Sequence, residues 1–340
     1  MNRAILPAAA VLAVTCGALA QSGPISLSFD EPVLDRWMYP FSGTPGTRVN
    51  ASTFGALGID GFDDRDAQFI VGFDTAGDIP AGQGAGAYRV VSARVTAVID
   101  NNLQFVYDDT QDPVESFFDT ADPEYVEDAT PGRPLEIYAT GYRSGFTILS
   151  WQETTFFGGP PVIPPAQGNR TAYAALYNDV DDVVDLSNNV AERTEVTPLA
   201  IGQTDGVAAG ELVPAETVFT FDINTCATGA SAFFDASFDA GRVNLTITSL
   251  HSALMGSTEF PSFFTKENAI SPILGYAPQL EITVIAVGDA DLTGDGSLDL
   301  FDFLAFQNAF DAGEPLADFD GNCRLDIFDF LEFQNAFDGG

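Results

Sequence analysis

The chain has 340 residues, with 49 Asp or Glu against 13 Lys or Arg, so its formal net charge is −36. A surface this acidic repels phosphate backbones and anionic lipids, which argues against binding to nucleic acid or to a membrane surface. Only one Lys (Lys266) and one His (His251) occur, and this excludes a zinc site built on several histidines. With 46% apolar residues, the chain can bury a sizeable core and is not disordered throughout.

The first twenty residues have the pattern of a secretory signal. Arg3 precedes an apolar run, and a small-x-small sequence ends at Ala20. The run is too short to span a bilayer core of about 30 Å, and no other stretch is long enough for a transmembrane helix. We therefore expect residues 1–20 to be a signal peptide and the mature protein to be secreted or held at the cell surface, without a membrane span.

Residues 21–287 are predicted to form a β-sandwich of the jelly-roll type. Alternating or β-branched runs are separated by clusters of Gly, Pro, Asn and Asp, the pattern of short strands and turns. A short helix is predicted over 230–240, and residues 109–135 and 157–212 are predicted to be long loops. The predicted strands are 25–29, 68–73, 88–99, 103–107, 146–151, 217–223, 242–250 and 279–286.

Six short segments of this domain occur in the same order as the motifs of a known domain family. They are QFIVGFDTAGDIPAG at 68–82, VSARVTAV at 91–98, TFDINT at 220–225, AGRVNLTI at 240–247, FTKEN at 264–268 and APQLEITV at 277–284. With these segments the domain resembles DNRLRE-type jelly-roll domains. That family is similar to carbohydrate-binding modules, some of which recognise uronate-rich polymers, so the resemblance implies a polysaccharide ligand without identifying its contact residues.

Candidate catalytic residues in the β domain are few. His251 follows a predicted strand and could abstract a proton in a lyase, but the chain offers no second His, and a structural role is the favoured interpretation. Glu153, two residues after Trp151 at the end of a predicted strand, is the first acid to test as half of a glycosidase pair, whose carboxyl groups stand about 5–9 Å apart. We expect the domain to be non-catalytic rather than enzymatic.

Some acidic and aromatic residues are further candidates. The acids could ligate a divalent cation and the aromatics could stack on sugar rings, although solvated loops and core packing are the simpler interpretations. The acids are Asp60, Asp63, Asp64 and Asp66 and, separately, Asp179, Asp181, Asp182 and Asp185, and the aromatics are Trp37, Tyr39, Trp151 and Tyr173.

The strongest pattern is a C-terminal repeat. Residues 291–310 and 318–337 are identical at 13 of 20 positions, and a helix is predicted after the loop of each copy. Positions 1, 3, 5, 9 and 12 of each loop carry side-chain oxygens and position 7 offers its backbone carbonyl, the spacing that supplies a Ca²⁺ ion with six to eight oxygens. The candidate ligands are Asp291, Thr293, Asp295, Ser297 (through its carbonyl), Asp299 and Asp302 in the first loop, and Asp318, Asp320, Asn322, Arg324 (at the position of Ser297), Asp326 and Asp329 in the second.

The two loops differ at their sixth position, where a tight bend is required. Gly296 occupies this position in the first loop and Cys323 in the second. If the backbone there needs a positive φ, a residue with a Cβ costs on the order of 1 kcal/mol. We therefore predict two Ca²⁺ sites, of which the second is the weaker.

Residues 288–340 are predicted to be a small α-helical, EF-hand-like module. They contain 13 acidic residues and one basic residue, so their folding is expected to depend on bound cations. Over about 290–338 the loops and their helices, LFDFLAFQNAF and IFDFLEFQNAF, resemble the dockerin family. Dockerins bind calcium and dock their proteins onto cohesin-bearing scaffolds or the cell surface, so the resemblance implies a cohesin-like or other surface anchoring protein.

This sequence departs from the dockerin pattern at loop positions 10 and 11. Well-known dockerins carry small hydroxylated residues there, whereas this chain has Leu300-Phe301 and Ile327-Phe328. Anchoring through an apolar patch, and folding back of these residues on the β domain, are therefore alternatives to cohesin binding.

Two cysteines, Cys226 and Cys323, remain after removal of the signal. An oxidising compartment would allow them to pair, but they lie in separate predicted domains, and two cysteines do not make a disulfide framework. Free thiols are the expected state.

The sequence as a whole predicts a mainly β, exported protein with a dockerin-like tail. The leading hypothesis is a non-catalytic surface protein, anchored through the module and able to bind polysaccharide. The alternative is a dockerin-borne polysaccharide hydrolase or lyase with its active site in the β domain. A purely architectural surface protein without a glycan ligand is a third hypothesis.

Overall fold

The computed structural model describes residues 23–42, 44–158, 169–253 and 259–339, so the predicted signal peptide at 1–20 lies outside it. This part of the chain is mainly β. In chain order the strands are β1 Ile25–Phe29, β2 Leu34–Met38, β3 Asn50–Ser52, β4 Gln68–Asp74, β5 Tyr88–Val98, β6 Leu135–Tyr142, β7 Ala172–Asp179, β8 Asp182–Asp185, β9 Ala200–Ile201, β10 Val218–Asp222, β11 Arg242–Ser249, β12 Ser262–Phe264 and β13 Gln279–Ala286. The α-helices are α1 Ala230–Ala240, α2 Ser271–Leu274, α3 Leu300–Ala312 and α4 Ile327–Gly339.

Two antiparallel sheets contribute side chains to one core. The smaller has the order β1-β13-β5-β10 and the larger the order β2-β4-β11-β6-β7-β8, with β9 paired to β6, while β3 and β12 form a separate pair. The alternation in β5 explains how the smaller sheet is half buried: Ala93, Val95 and Ala97 face the core, and Arg94 between them is exposed. None of the helices in the described residues combines the length and apolar character that a membrane crossing requires.

The C-terminal helices pack on each other and on the smaller sheet. The rings of Phe306 in α3 and Phe333 in α4 stack with their centroids 4.4 Å apart. Ile285 of β13 belongs to the same buried cluster. Arg89 of β5 donates hydrogen bonds to the carbonyl oxygens of Pro315 (2.5 Å) and of Leu316. The predicted module is therefore in direct contact with the β domain.

Cys226 and Cys323 form a disulfide bond. The expectation of free thiols was wrong, because packing of the C-terminal helices on the β domain brings the two Cα atoms to 5.7 Å, within the range that a disulfide spans. The two cysteines are 97 residues apart in the sequence, in different predicted domains, and this separation does not indicate that they are in contact.

Several predicted elements differ from the observed ones. Residues 103–107 make only one isolated bridge, between Val106 and Leu212. Residues 146–151 form a turn, in which the Thr147 and Ser150 hydroxyls accept hydrogen bonds from each other's backbone N–H groups. Such local bonds compete with strand pairing. The predicted loop at 157–212 contains β7, β8 and β9, and β2, β3, β6 and β12 were also missed.

Candidate metal centre

Both C-terminal loops close around the carboxylate at their twelfth position. In the first loop Asp302 is fully buried; one oxygen accepts hydrogen bonds from the backbone N–H and hydroxyl of Thr293, and the other accepts from the N–H of Asp299. In the second loop Asp329, also fully buried, accepts from the N–H groups of Phe319 (2.7 Å) and Asp326 (2.8 Å) in the same way.

The second loop brings three carboxylates together. Asp318, Asp320 and Asp329 each offer an oxygen, and these oxygens lie within 4.8 Å of one another. One oxygen of Asp318 accepts a hydrogen bond from the N–H of Cys323, whereas Oδ1 is buried and has no hydrogen-bond partner among the described residues. Burial raises the pKa of Asp318 above its ordinary value. An unpartnered, buried carboxylate oxygen beside two further carboxylates is a donor set that fits a hard divalent cation.

The first loop is arranged differently. The first-position carboxylate, Asp291, accepts hydrogen bonds from the N–H groups of Gly294 and Gly296, both at 2.8 Å. In the part of the chain that the structure describes, this loop does not supply three carboxylate oxygens within the distance reached in the second loop. In this loop, backbone N–H groups therefore stabilise the carboxylate of Asp291, as a bound cation would.

The remaining predicted ligands turn towards their own backbones. Asp295 accepts from the N–H of Ser297, and Asp299 caps α3 by accepting from the N–H of Phe301. The same bonds recur in the second loop, where Asn322 accepts from Arg324 and Asp326 from Phe328. The predicted donors thus lie in two equivalent loops, but only some of their oxygens converge.

The sixth position of both loops has a positive φ, the condition on which the prediction of a weaker second site depends. Gly296 has φ +81° and Cys323 has φ +64°. A positive φ at a residue with a Cβ is unfavourable, and Cys323 adopts it while bonded to Cys226.

The apolar residues at loop positions 10 and 11 face solvent. Leu300, Phe301, Ile327 and Phe328 are 60–66% exposed. The alternative in which they fold back on the β domain is therefore not the arrangement of this structure. They form two matching apolar pairs, one at the start of each helix, which we call the apolar face.

A cleft of 740 Å³ lies in the β domain where β11 ends and β6 begins. His251, Arg133 and Phe117 line it, together with the exposed side chains of Leu103 and Leu212. His251 is 6% exposed, and burial, with Arg133 nearby, lowers its pKa to about 3. The imidazole is therefore neutral at neutral pH.

Glu153 lies outside the observed strands and takes part in a charged cluster that the sequence did not predict. It is 2.5 Å from the ammonium group of Lys266 and accepts a hydrogen bond from the N–H of Asp35. Asp35 and Glu267 complete the cluster. Burial raises the pKa of Asp35 to about 8, despite the opposing charge of Lys266. No local motif could reveal this cluster, because its members come from distant parts of the chain.

Several of the other candidates have structural partners. Asp63 forms an ion pair with buried Arg170, and Asp185 pairs with Arg143. Trp151 and Tyr173 are buried in the core. Trp37 stacks on Tyr39 with ring centroids 4.7 Å apart. These contacts favour the packing interpretation for the residues named here.

Comparisons with known proteins do not assign a family. A scan against models of protein families gives no match, and a search of curated proteins gives none either. Among solved structures, matches include the VP1 protein of trichodysplasia spinulosa-associated polyomavirus in complex with GM1 oligosaccharide (9% identity, TM-score 0.24, covering 78% of this chain and 95% of that one). A Merkel cell polyomavirus virus-like particle is also similar (13% identity, TM-score 0.23, covering 84% of this chain and 81% of that one).

Asp329→Asn should weaken cation binding to the second loop. The substitution removes one of three converging carboxylates, and we expect the dissociation constant for Ca²⁺ at this loop to rise at least about tenfold. Calorimetric titration of the full chain measures it. Asp311→Asn, an exposed acid in the same module, is the control for the change in charge. Equal effects of the two substitutions would contradict the assignment.

His251 should make folding sensitive to mild acid. Its folded pKa lies below the unfolded value of 6.5, so its contribution to stability is complete above pH 6.5 and is lost as the pH falls towards 3. At about 1.4 kcal/mol per pH unit, the wild type should lose about 2 kcal/mol more than His251→Phe between pH 6.5 and 5. Urea unfolding at each pH measures the difference. Parallel pH profiles would show that the imidazole is not held neutral.

Proposed function

We propose that this chain is a secreted, calcium-binding surface protein whose C-terminal module, similar to a dockerin, attaches a non-catalytic jelly-roll domain to an anchoring partner. The convergence of Asp318, Asp320 and Asp329 around an unpartnered carboxylate oxygen is the observation that carries the proposal. Calcium suits this donor set because it prefers several oxygen ligands and tolerates irregular geometry. Two ions are proposed, one in each loop.

Cation binding would allow the module to fold despite its large negative charge. Residues 288–340 include thirteen acidic residues and one arginine. The mutual repulsion of the acidic residues opposes a compact state. Two divalent ions would offset part of this repulsion and would fix each loop at the start of its helix. Binding and folding of the module are therefore coupled in this proposal.

The apolar face supplies the attachment surface. Leu300, Phe301, Ile327 and Phe328 are exposed at the starts of α3 and α4, whereas Phe306 and Phe333 of the same helices are buried. Adjacent exposed apolar side chains, such as those of each pair, are typical of protein–protein contacts. The partner we propose is a surface-anchored protein, cohesin-like in role, whose contact surface is apolar rather than hydroxyl-rich.

For the β domain we favour binding over catalysis. The cleft beside His251 is lined by aliphatic side chains, by Phe117 and by polar groups that include Arg133, so it offers a sugar both apolar and hydrogen-bonding contacts. A general base works best with a pKa near the operating pH, and a pKa of about 3 makes His251 a poor one. Glu153 is already engaged by Lys266. Retention on a polysaccharide panel without release of reducing ends or unsaturated uronates supports binding, whereas release supports the hydrolase or lyase alternative.

Substituting the two phenylalanines of the apolar face should strongly reduce surface attachment. We expect fluorescently labelled chain carrying Phe301→Ser and Phe328→Ser to be retained on washed producing cells at least about tenfold less than the wild type. Leu149→Ser, an exposed apolar residue outside the module, is the matched control. Excess EDTA should reduce wild-type retention as the double substitution does. Undiminished retention of the double variant would overturn this attachment surface.

A further inference from the structure

The disulfide joins the bend of the second acidic loop to the β domain. Cys323 occupies the position where the first loop has Gly296, and its backbone has φ +64°. The N–H of Cys323 donates a hydrogen bond to Asp318 at 3.1 Å. The backbone conformation of Cys323 therefore directs its N–H group towards Asp318, one of the three converging carboxylates.

The other end of the disulfide is held firmly. Cys226 follows β10 in a turn where its N–H bonds to the side chain of Asn224 at 3.0 Å. The N–H of Asn224 in turn donates to the carbonyl oxygen of Leu199. Helix α1 begins four residues after Cys226 and buries Phe233 and Phe234 in the main core. Through the disulfide, this fixed turn restrains the loop from outside the module.

The disulfide is also accessible and close to the candidate metal centre. Cys226 and Cys323 are both exposed and line a crevice of 280 Å³ that Asp318 and Asp320 share. Both sulfur atoms lie within 4.8 Å of a carboxylate oxygen of Asp318. A small reductant can thus reach the bond without unfolding of the chain.

We propose that the Cys226–Cys323 disulfide is a redox-modification site that sets the calcium affinity of the second loop. This inference rests on the proposed binding of calcium by that loop. With the disulfide intact, the crosslink stabilises the positive φ of Cys323, so the loop is preorganised. In the reduced chain that conformation has to be stabilised by the cation, because a residue with a Cβ disfavours it. The sequence predicts that the second site is the weaker one. In this proposal that order holds only in the reduced state.

The reduction itself is a balanced exchange with a dithiol. The S–S bond between Cys226 and Cys323 breaks, each sulfur gains one electron and one proton, and the dithiol loses two of each to become a disulfide. Linkage requires the reciprocal effect: if reduction weakens calcium binding by some factor, bound calcium lowers the equilibrium constant for reduction by that factor.

The test is calorimetric titration of the full chain with CaCl₂ in an Asp302→Asn background, which weakens the first loop. Reduction with excess dithiothreitol, or Cys226→Ser with Cys323→Ser, should raise the dissociation constant about tenfold. Cys226→Ser with Cys323→Gly is the matched control, and it should recover most of the affinity because glycine accepts a positive φ. The same dissociation constant for the intact and the Ser/Ser chains would overturn the inference.

A second measurement uses the unaltered chain. The equilibrium between the disulfide and dithiothreitol, followed by trapping of free thiols, should shift about tenfold towards the disulfide in saturating calcium. Calcium binding with no such shift would overturn the inference and leave the proposed function standing. A chain that binds no calcium in either redox state would instead remove the proposed function.

Discussion

The buried carboxylates of Asp302 and Asp329 are the interaction on which the C-terminal structure depends. Each is fully buried and joins the start of its loop to the start of the following helix through backbone N–H groups. Burying a charged group is costly unless donors or cations surround it. In a segment with thirteen acidic residues and one arginine, backbone donors alone do not neutralise the accumulated charge. The proposed cation in each loop would meet both requirements, and it would connect composition, loop geometry and proposed function.

The contact between the C-terminal helices and the β domain changes how attachment would work. Ile285 lies in the same apolar cluster as the helices, Arg89 bonds to the connection between them, and the disulfide adds a covalent link. A partner bound to the apolar face would therefore hold the β domain in a defined orientation, unlike a domain on a flexible linker. The cleft beside His251 would then be presented in a fixed direction relative to the surface.

Local patterns predicted the elements with strong periodicity. The bounds of β1, β13 and α1 agree with the prediction, and each acidic loop precedes its helix. Strands β6 and β7 were missed because both faces are buried, so Leu135–Tyr142 lacks the alternation of a half-exposed strand. The oxygen spacing identified the acidic loops but not which oxygens converge, since that depends on hydrogen bonds. The disulfide and the Lys266 cluster depend on packing between distant segments, which spacing does not reveal.

Hydrogen exchange of the full-length chain, with the disulfide intact, tests the central claim most directly. Peptides covering α3 and α4 are compared in saturating calcium and in excess EDTA, with α1, which belongs to the main core, as the internal reference. The account predicts that chelation removes most of the protection of α3 and α4 while that of α1 is unchanged. Equal protection of α3 and α4 in both conditions would show that their fold does not depend on a bound cation.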